Sequence, residues 1–174
     1  MSYYVPLFKI WNSLRVAGQL KVIDFGLARR LNSSDDKVIS SEPLPGSFHY
    51  VAPENFRKLK EDGKMLSDFD TDDEDDDDHG ALHYELTLKA DIWSAGILLF
   101  FMVFDGQHPY SMVSGGRSSK IFALKSFIEI EFPTPRFEKN NISQHLLRSL
   151  KASLKKDPKE RADSEELSSI IFPA

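Results

Sequence analysis

The part of the sequence that could do chemistry is the stretch Lys21–Arg29, which reads KVIDFGLAR. A short apolar strand carries Asp24 onto a turn made by Phe25 and Gly26. A carboxylate is a hard oxygen ligand that suits Mg²⁺ beside phosphates, and glycine lets the backbone turn freely. An Asp-Phe-Gly triplet also arises by chance. The alternative interpretation, in which Asp24 only caps a turn at the end of a strand, therefore stays open at this point.

Three further motifs follow in a fixed order: Gly46–Glu54 (GSFHYVAPE), Ala90–Gly96 (ADIWSAG) and Asp157–Arg161 (DPKER). Together with Asp-Phe-Gly they resemble the C-terminal lobe of eukaryotic protein kinases, in which Asp-Phe-Gly and Ala-Pro-Glu bracket the activation segment. The resemblance covers nearly the whole chain. Within that family the sequence is most similar to the monopolar-spindle (threonine-and-tyrosine) dual-specificity kinases.

The resemblance implies a mainly α fold, the large C-terminal lobe of an α+β kinase, with one short β-hairpin and several helices. Residues 1–174 are then a partial kinase domain. The implied activity is transfer of the ATP γ-phosphate to Ser/Thr, and in the dual-specificity case Tyr, of a protein substrate, with ATP and Mg²⁺ as cofactors. By resemblance alone, the expected setting is the nucleus or cytoplasm, with kinetochore partners and a spindle-checkpoint role in chromosome segregation.

The resemblance also assigns the residues of a phosphate site. Asp24 and Asn12 take the positions of the Mg²⁺ ligands, and Phe25 and Gly26 complete the cofactor-binding turn. Lys9 falls on the lysine of the catalytic loop, whereas Leu7 occupies the position of the catalytic base. The second half of that loop is therefore kept and the first half is not.

The loss at Leu7 leaves two functions open. The chain is either part of a working kinase whose Gly-rich loop and strand lysine are encoded upstream, or a catalytically inactive, pseudokinase-like docking or regulatory module. Leucine cannot accept the proton of a substrate hydroxyl, so we expect the chain as written to be inactive.

Other residues take structural or regulatory positions by resemblance. Glu54 and Arg161 match a buried ion pair between the end of the activation segment and a later loop, and Asp91 matches the aspartate that begins a central helix. The activation segment also contains three serines at candidate substrate or phosphorylation positions, namely Ser40, Ser41 and Ser47.

Charge and composition exclude several classes of protein. The formal net charge is −5, but nine acids lie within Asp68–Asp78, which has no Lys or Arg, so the remainder carries −5 + 9 = +4. This balance does not indicate a nucleic-acid-binding protein. The longest apolar stretch, 92–104, is too short for a bilayer span. The chain has no cysteine, which excludes disulfides and a cysteine nucleophile.

Residues 61–80 form a low-complexity acidic insert (EDGKMLSDFDTDDEDDDDHG). Its like charges repel and it has little apolar surface to bury, so we expect a disordered segment within the kinase-like domain.

The remaining pattern predicts the supporting elements. These are a hairpin over 13–23, a long loop over 27–50, a short helix over 53–60, a buried helix capped by Thr87 and running to about Phe104, and helices over 118–128, 143–155 and 164–171.

Overall fold

The computed structural model describes residues 3–5, 13–16, 19–22, 28–31, 37–40, 48–56, 58–59, 83–110, 130–132 and 142–172. The fold is mainly α, as predicted. Within the described ranges, three α-helices have 15, 10 and 8 residues, and seven strands have two to five residues each. The predicted helix over 118–128 and the acidic insert over 61–80 lie outside the described residues.

The strands form three small antiparallel sheets. β1 (Tyr3–Val5) pairs with β4 (Arg29–Leu31), and β2 (Ser13–Val16) pairs with β3 (Gln19–Val22). In the third sheet β7 (His83–Thr87) lies between β5 (Lys37–Ser40) and β6 (Lys58–Leu59). The β2–β3 pair is the hairpin that the sequence predicts, with Val16 opposite Gln19.

The first helix, α1 (Lys89–Val103), is the central element. Seven of its residues are buried: Ala90, Trp93, Ser94, Gly96, Ile97, Leu98 and Phe100. Past its C-terminus the backbone N–H of Gly106 donates to the carbonyl of Phe101 at 2.8 Å. Gly106 has φ 78°, a left-handed conformation that glycine adopts without the steric penalty of a side chain.

Two amphipathic helices follow in the part of the chain that the structure describes. Ser143 caps α2 (Gln144–Ser153) by accepting a hydrogen bond from the N–H of Leu146 at 3.2 Å, which confirms the predicted helix start. Asp163 caps α3 (Ser164–Ile171) in a capping box, in which the carboxylate of Glu166 accepts from the backbone N–H of Asp163.

The core lies between α1 and α2. Trp93, Ile97 and Phe104 of the α1 region are completely buried, as is Leu150 of α2. The rings of Phe100 and Phe104 lie 4.3 Å apart, one helical turn along α1. Among the described residues, no helix combines the length and apolar character that crossing a bilayer requires.

Three predicted elements were wrong in detail. Residues 27–50 are not one long loop, because β4, β5 and a 3-10 turn at Phe48–Tyr50 lie within them. The helix predicted over 53–60 is a 3-10 turn at Pro53–Phe56 followed by β6. Thr87 does not cap α1: it ends β7, and the N-cap residue is Leu88. Strands this short leave too few residues for an alternating pattern to be visible.

Candidate functional site

The residues predicted to form the phosphate site lie outside the described part of the chain. They are Leu7, Lys9, Asn12, Asp24, Phe25 and Gly26, together with Ser41 and Ser47 of the predicted activation segment. Ser40 ends β5, opposite Tyr84 of β7. Asp91 lies in the first turn of α1 and is half-buried. The structure describes the end of the predicted activation segment, from Phe48 to Phe56, and the elements that contact it.

A buried ion pair joins Glu54 and Arg161 at that junction. The guanidinium donates from Nη1 to Oε1 of Glu54 at 2.7 Å and from Nη2 to Oε2 at 2.8 Å. Each residue is only 1% exposed. This two-pronged geometry is the strongest arrangement that an arginine and a carboxylate adopt. It ties the 3-10 turn at Pro53–Phe56 to the loop between α2 and α3.

Every donor of the Arg161 guanidinium has an acceptor. Besides the two bonds to Glu54, Nε donates to the carbonyl of Lys155 at 2.8 Å, Nη2 to that of Lys156 at 3.2 Å, and Nη1 to that of Lys89 at 2.8 Å. These five bonds use all five N–H groups of the side chain. A buried charge is tolerated when it is both paired and hydrogen-bonded, and Arg161 meets both conditions.

Three further residues complete this junction. Thr87 donates from Oγ1 to Oε1 of Glu54 at 3.1 Å. Lys89 donates from Nζ to the carbonyl of Arg161 at 2.6 Å, while its own carbonyl accepts from Arg161. The guanidinium carbon lies 5.1 Å from the centre of the Trp93 ring, within the range of a cation–π contact. No local pattern in the sequence indicates these three contacts, because each joins segments that are distant along the chain.

A hydroxyl of α1 holds the segment that precedes Ala-Pro-Glu. Oγ of Ser94 lies 2.7 Å from the carbonyl of Tyr50 and 3.0 Å from that of Ala90, and its single proton serves one acceptor at a time. Tyr50 packs partly against the core. Burial raises the pKa of the Tyr50 phenol above its ordinary value of 10.0, so the phenol is neutral at physiological pH.

A histidine makes a second link between the same two regions. His108 lies 2.8 Å through Nε2 from the carbonyl of His49, and its Nδ1 accepts from the backbone N–H of Tyr110 at 3.2 Å. These partners assign the proton to Nε2 in the neutral ring. The rings of His49 and His108 meet edge to face, 5.2 Å apart. The loop after α1 is therefore fastened to the turn at Phe48–Tyr50.

Asn55, next to Glu54, has a buried and unpaired side-chain amide. It is 3% exposed, and neither Oδ1 nor Nδ2 has a hydrogen-bond partner among the residues that the structure describes. Burying an unpaired amide costs about 1–3 kcal/mol by mutational measurement. The position is thus a local weakness beside the ion pair.

We expect Asn55→Leu, which keeps the number of side-chain heavy atoms, to stabilise the chain. The free energy of unfolding should rise by about 1–2 kcal/mol, because an unsatisfied amide is replaced by an apolar group of similar size. Urea unfolding followed by circular dichroism measures it. The matched variant Asn55→Asp places a charge at the same position and is expected to destabilise. A midpoint for Asn55→Leu at or below that of the parent would contradict this account.

In the described ranges no three His, Asp or Glu side chains come together where they could hold a metal ion. The predicted Mg²⁺ ligands Asn12 and Asp24 are not in those ranges. The contacts of Glu54 and Arg161 hold the end of the predicted activation segment against α1 and the loop before α3.

Comparison with known proteins identifies similar sequences over most of the chain. No protein-family model matches it. It is 28% identical over 157 residues to the mouse (Mus musculus) dual specificity protein kinase TTK, 29% identical over 150 residues to a probable serine/threonine-protein kinase mps1 of Dictyostelium discoideum, and 24% identical over 163 residues to the serine/threonine-protein kinase MPS1 of Saccharomyces cerevisiae.

These alignments cover 90%, 86% and 92% of the chain. They cover only 16%, 13% and 19% of the three relatives. The similarity therefore concerns one limited segment of each relative, and the chain spans less than a fifth of the length of these relatives.

Proposed function

Because this chain is homologous to TTK/Mps1 and other Ser/Thr protein kinases along about 90% of its length, we propose that it forms the activation-segment region and large lobe of a protein kinase. The full-length protein transfers the γ-phosphate of ATP to hydroxyl groups of a protein substrate. Ser and Thr are the expected acceptors, and the dual-specificity relatives favour Tyr as a third.

The observation that carries this proposal is the ion pair between Glu54 and Arg161. It joins the last residue of Ala-Pro-Glu to the last residue of Asp-Pro-Lys-Glu-Arg, 107 positions further along the chain. A protein substrate has to lie against a fixed surface while phosphate is transferred, because this reaction depends mainly on positioning and charge neutralisation. A rigid junction at the end of the activation segment supplies such a surface.

In this proposal the ATP phosphates and Mg²⁺ are bound by the residues that take the motif positions. Asp24 and Asn12 supply a carboxylate and an amide oxygen, a donor set that Mg²⁺ accepts beside phosphates. Mg²⁺ bound to ATP neutralises the charge that builds up on the transferred group. The resemblance to monopolar-spindle kinases extends this proposal to a setting and a role. The setting is the nucleus or cytoplasm with kinetochore partners, and the role is in the spindle checkpoint.

The test uses the protein isolated from the cells that make it, with an antibody against α3, so that any sequence before Met1 is retained. We expect transfer of ³²P from [γ-³²P]ATP to a generic protein substrate, and loss of that transfer in an Asp24→Asn protein made in the same way. Phosphoamino-acid analysis then separates Ser and Thr from Tyr. A folded native protein with no transfer would overturn the kinase proposal.

The 174-residue chain expressed alone is expected to show no transfer. Leu7 stands at the position of the catalytic base and can neither accept nor orient a hydroxyl proton. Robust ATP-dependent phosphorylation by this chain, abolished by Asp24→Ala, would contradict that prediction.

Leu7 also favours a second candidate function, a catalytically inactive docking or regulatory module. The native-protein assay separates the two. If the native protein is inactive and its partners still require the intact Glu54–Arg161 junction for binding, the docking function is the better account.

A further inference from the structure

The helix α3 carries two adjacent serines in its C-terminal half, Ser168 and Ser169, and both are exposed. Each has an acid three residues before it: Glu165 precedes Ser168, and Glu166 precedes Ser169. Both acids are exposed as well. Protein kinases select their substrates partly by such patterns of charge around the acceptor. The two serines thus combine accessibility with the flanking charge that an acid-directed protein kinase recognises.

Among the described helices, α3 is the one that the rest of the fold holds least. It packs against α2, but none of its residues is buried, whereas seven residues of α1 and three of α2 are. Its start is fixed by the capping box of Asp163 and by the N–H of Ala162, which donates to the carbonyl of Ala152 in α2 at 3.1 Å. A helix of eight residues is not stable by itself in water, so its C-terminal half opens at a low cost in free energy. Such opening lets a serine reach the active site of another enzyme.

We propose that Ser168 and Ser169 are phosphorylated by a separate, acid-directed protein kinase, and that the phosphate opens α3 and separates it from α2. In this step Oγ of the serine attacks the γ-phosphorus of MgATP. A bond forms between Oγ and phosphorus, the bond from phosphorus to the oxygen that bridges the β- and γ-phosphates breaks, and ADP leaves with that electron pair. The hydroxyl proton passes to the base of the modifying kinase and then to solvent. This modification is independent of whether the chain itself transfers phosphate.

A phosphate on either serine has an unfavourable charge for its place in the helix. The C-terminal end of a helix carries a partial negative charge, which repels a phosphate dianion. Ser168 lies three residues after Glu165, and Ser169 lies four residues after it, so either phosphate also meets a carboxylate on its own face of the helix. Oγ of Ser169 now donates to the carbonyl of Glu165 at 3.0 Å, and phosphorylation removes the proton that makes this bond. All three effects favour the open form of α3.

The first residue of the same helix, Ser164, provides a matched comparison. It is exposed, like Ser168 and Ser169. It lies at the helix N-terminus, where negative charge is favourable. The residue three positions before it is the buried Arg161, so an acid-directed kinase finds no carboxylate at that spacing. Phosphate at Ser164 and phosphate at Ser168 or Ser169 should therefore have opposite effects on α3.

The opening is confined to α3, because the chain just before this helix is firmly held. Arg161 is fixed by its five hydrogen bonds, so the junction with Glu54 stays closed while the C-terminal half of α3 unwinds. Ile171 and Phe172 are already exposed at the end of the helix. Unwinding adds the half-buried Leu167 and Ile170 to them. Phosphorylation would thus turn the end of α3 into an accessible apolar segment and leave the core folded.

Treatment of the full chain with MgATP and a purified casein kinase that reads an acid three residues before its serine tests the site. We expect tandem mass spectrometry to find phosphate at Ser168 and Ser169 and not at Ser164. Glu165→Gln should remove most of the phosphate at Ser168, and Glu166→Gln most of that at Ser169. Glutamine at position 166 preserves the capping box, so the helix start is kept. Unmodified Ser168 and Ser169, or phosphate there that does not depend on the two acids, would overturn the proposal.

Amide hydrogen exchange measures the opening, in full chains that carry genetically encoded phosphoserine at one position. With phosphoserine at 168 or 169, the α3 amides, including those of Leu167 and Phe172, should exchange about tenfold faster than in the unmodified chain. Phosphoserine at 164 should leave their exchange unchanged or slow it. The α1 amides should keep their protection in every chain. Equal or slower α3 exchange with phosphate at 168 and 169 would overturn the proposal, and so would a loss of protection that extends to α1.

Discussion

Arg161→Ala is expected to be insoluble or to unfold at a much lower temperature than the parent. The substitution leaves the Glu54 carboxylate buried, with Thr87 as its one remaining side-chain donor among the described residues. It also removes the N–H donors that now serve three backbone carbonyls. Breaking a buried ion pair by removing one partner costs about 3–5 kcal/mol. That is a large part of a total stability of about 5–15 kcal/mol. For a chain of this size it corresponds to a fall in Tm of roughly 6–20 °C.

Matched variants separate charge from geometry. Arg161→Lys keeps the charge but has one compact ammonium in place of the planar fork, so we expect only partial recovery. Arg148→Ala removes an exposed arginine and should change stability by no more than about 0.5 kcal/mol. An Arg161→Ala chain that melts like the parent would contradict the assignment.

A paired replacement keeps the prediction measurable if Arg161→Ala does not fold. Arg161→Met with Glu54→Leu removes both charges and leaves neither one unpaired. Replacing a buried pair by apolar residues is often neutral or stabilising. We therefore expect the double variant to be more stable than either single variant, as measured by urea unfolding. A double variant less stable than both would show that the pair contributes through packing instead.

The second large effect is expected at Gly96 of α1, which packs closely against Ser153 and Leu154 at the end of α2. A Cβ atom at this position would lie 2.5 Å from Oγ of Ser153 and 2.9 Å from Cδ2 of Leu154. It would also lie 2.9 Å from Cβ of Ser153, an atom that cannot rotate away, so the two helices have to shift apart at this point. We expect Gly96→Ala to destabilise by about 1–3 kcal/mol, the usual range for overpacking a core.

Thermal melting measures this effect, and the chain offers two controls. Met102 lies on the same helix and is 69% exposed, so Met102→Ala should be nearly neutral. Ser153→Gly removes the hydroxyl and Cβ that the new methyl group would meet. The double variant Gly96→Ala with Ser153→Gly should therefore lose less stability than the sum of the losses in the two single variants. Such non-additivity is usual for residues in contact. Strict additivity would show that the two helices do not meet at Gly96.

The sequence predicted the elements whose signals are local. The β2–β3 hairpin follows from apolar strand residues on either side of a two-residue turn, and α2 begins where Ser143 can cap it. The buried character of α1 follows from its composition, since nearly every residue from Ile92 to Phe104 is apolar. Helix capping and hairpin pairing each involve only a few neighbouring residues, so the local order of residue types is sufficient to indicate them.

The sequence did not predict the elements that depend on distant pairing. β5 exists because Lys37–Ser40 pairs with His83–Thr87, far along the chain, and neither strand is long enough to show an alternating pattern. The same applies to Thr87. Threonine is a favoured capping residue in general, yet here its hydroxyl donates to Glu54 and the helix begins two residues later.

The ion pair between Glu54 and Arg161 shows both what the sequence indicates and what only the tertiary structure decides. The motifs indicated that these two residues meet, because each motif is recognisable by itself. Only the folded chain decided what else meets there: the Lys89 carbonyl and the Trp93 ring from α1, and two carbonyls from the end of α2. A buried guanidinium needs all five of its donors satisfied, and no local pattern of residues specifies acceptors that come from three separate segments, namely Glu54, Lys89 and Lys155–Lys156.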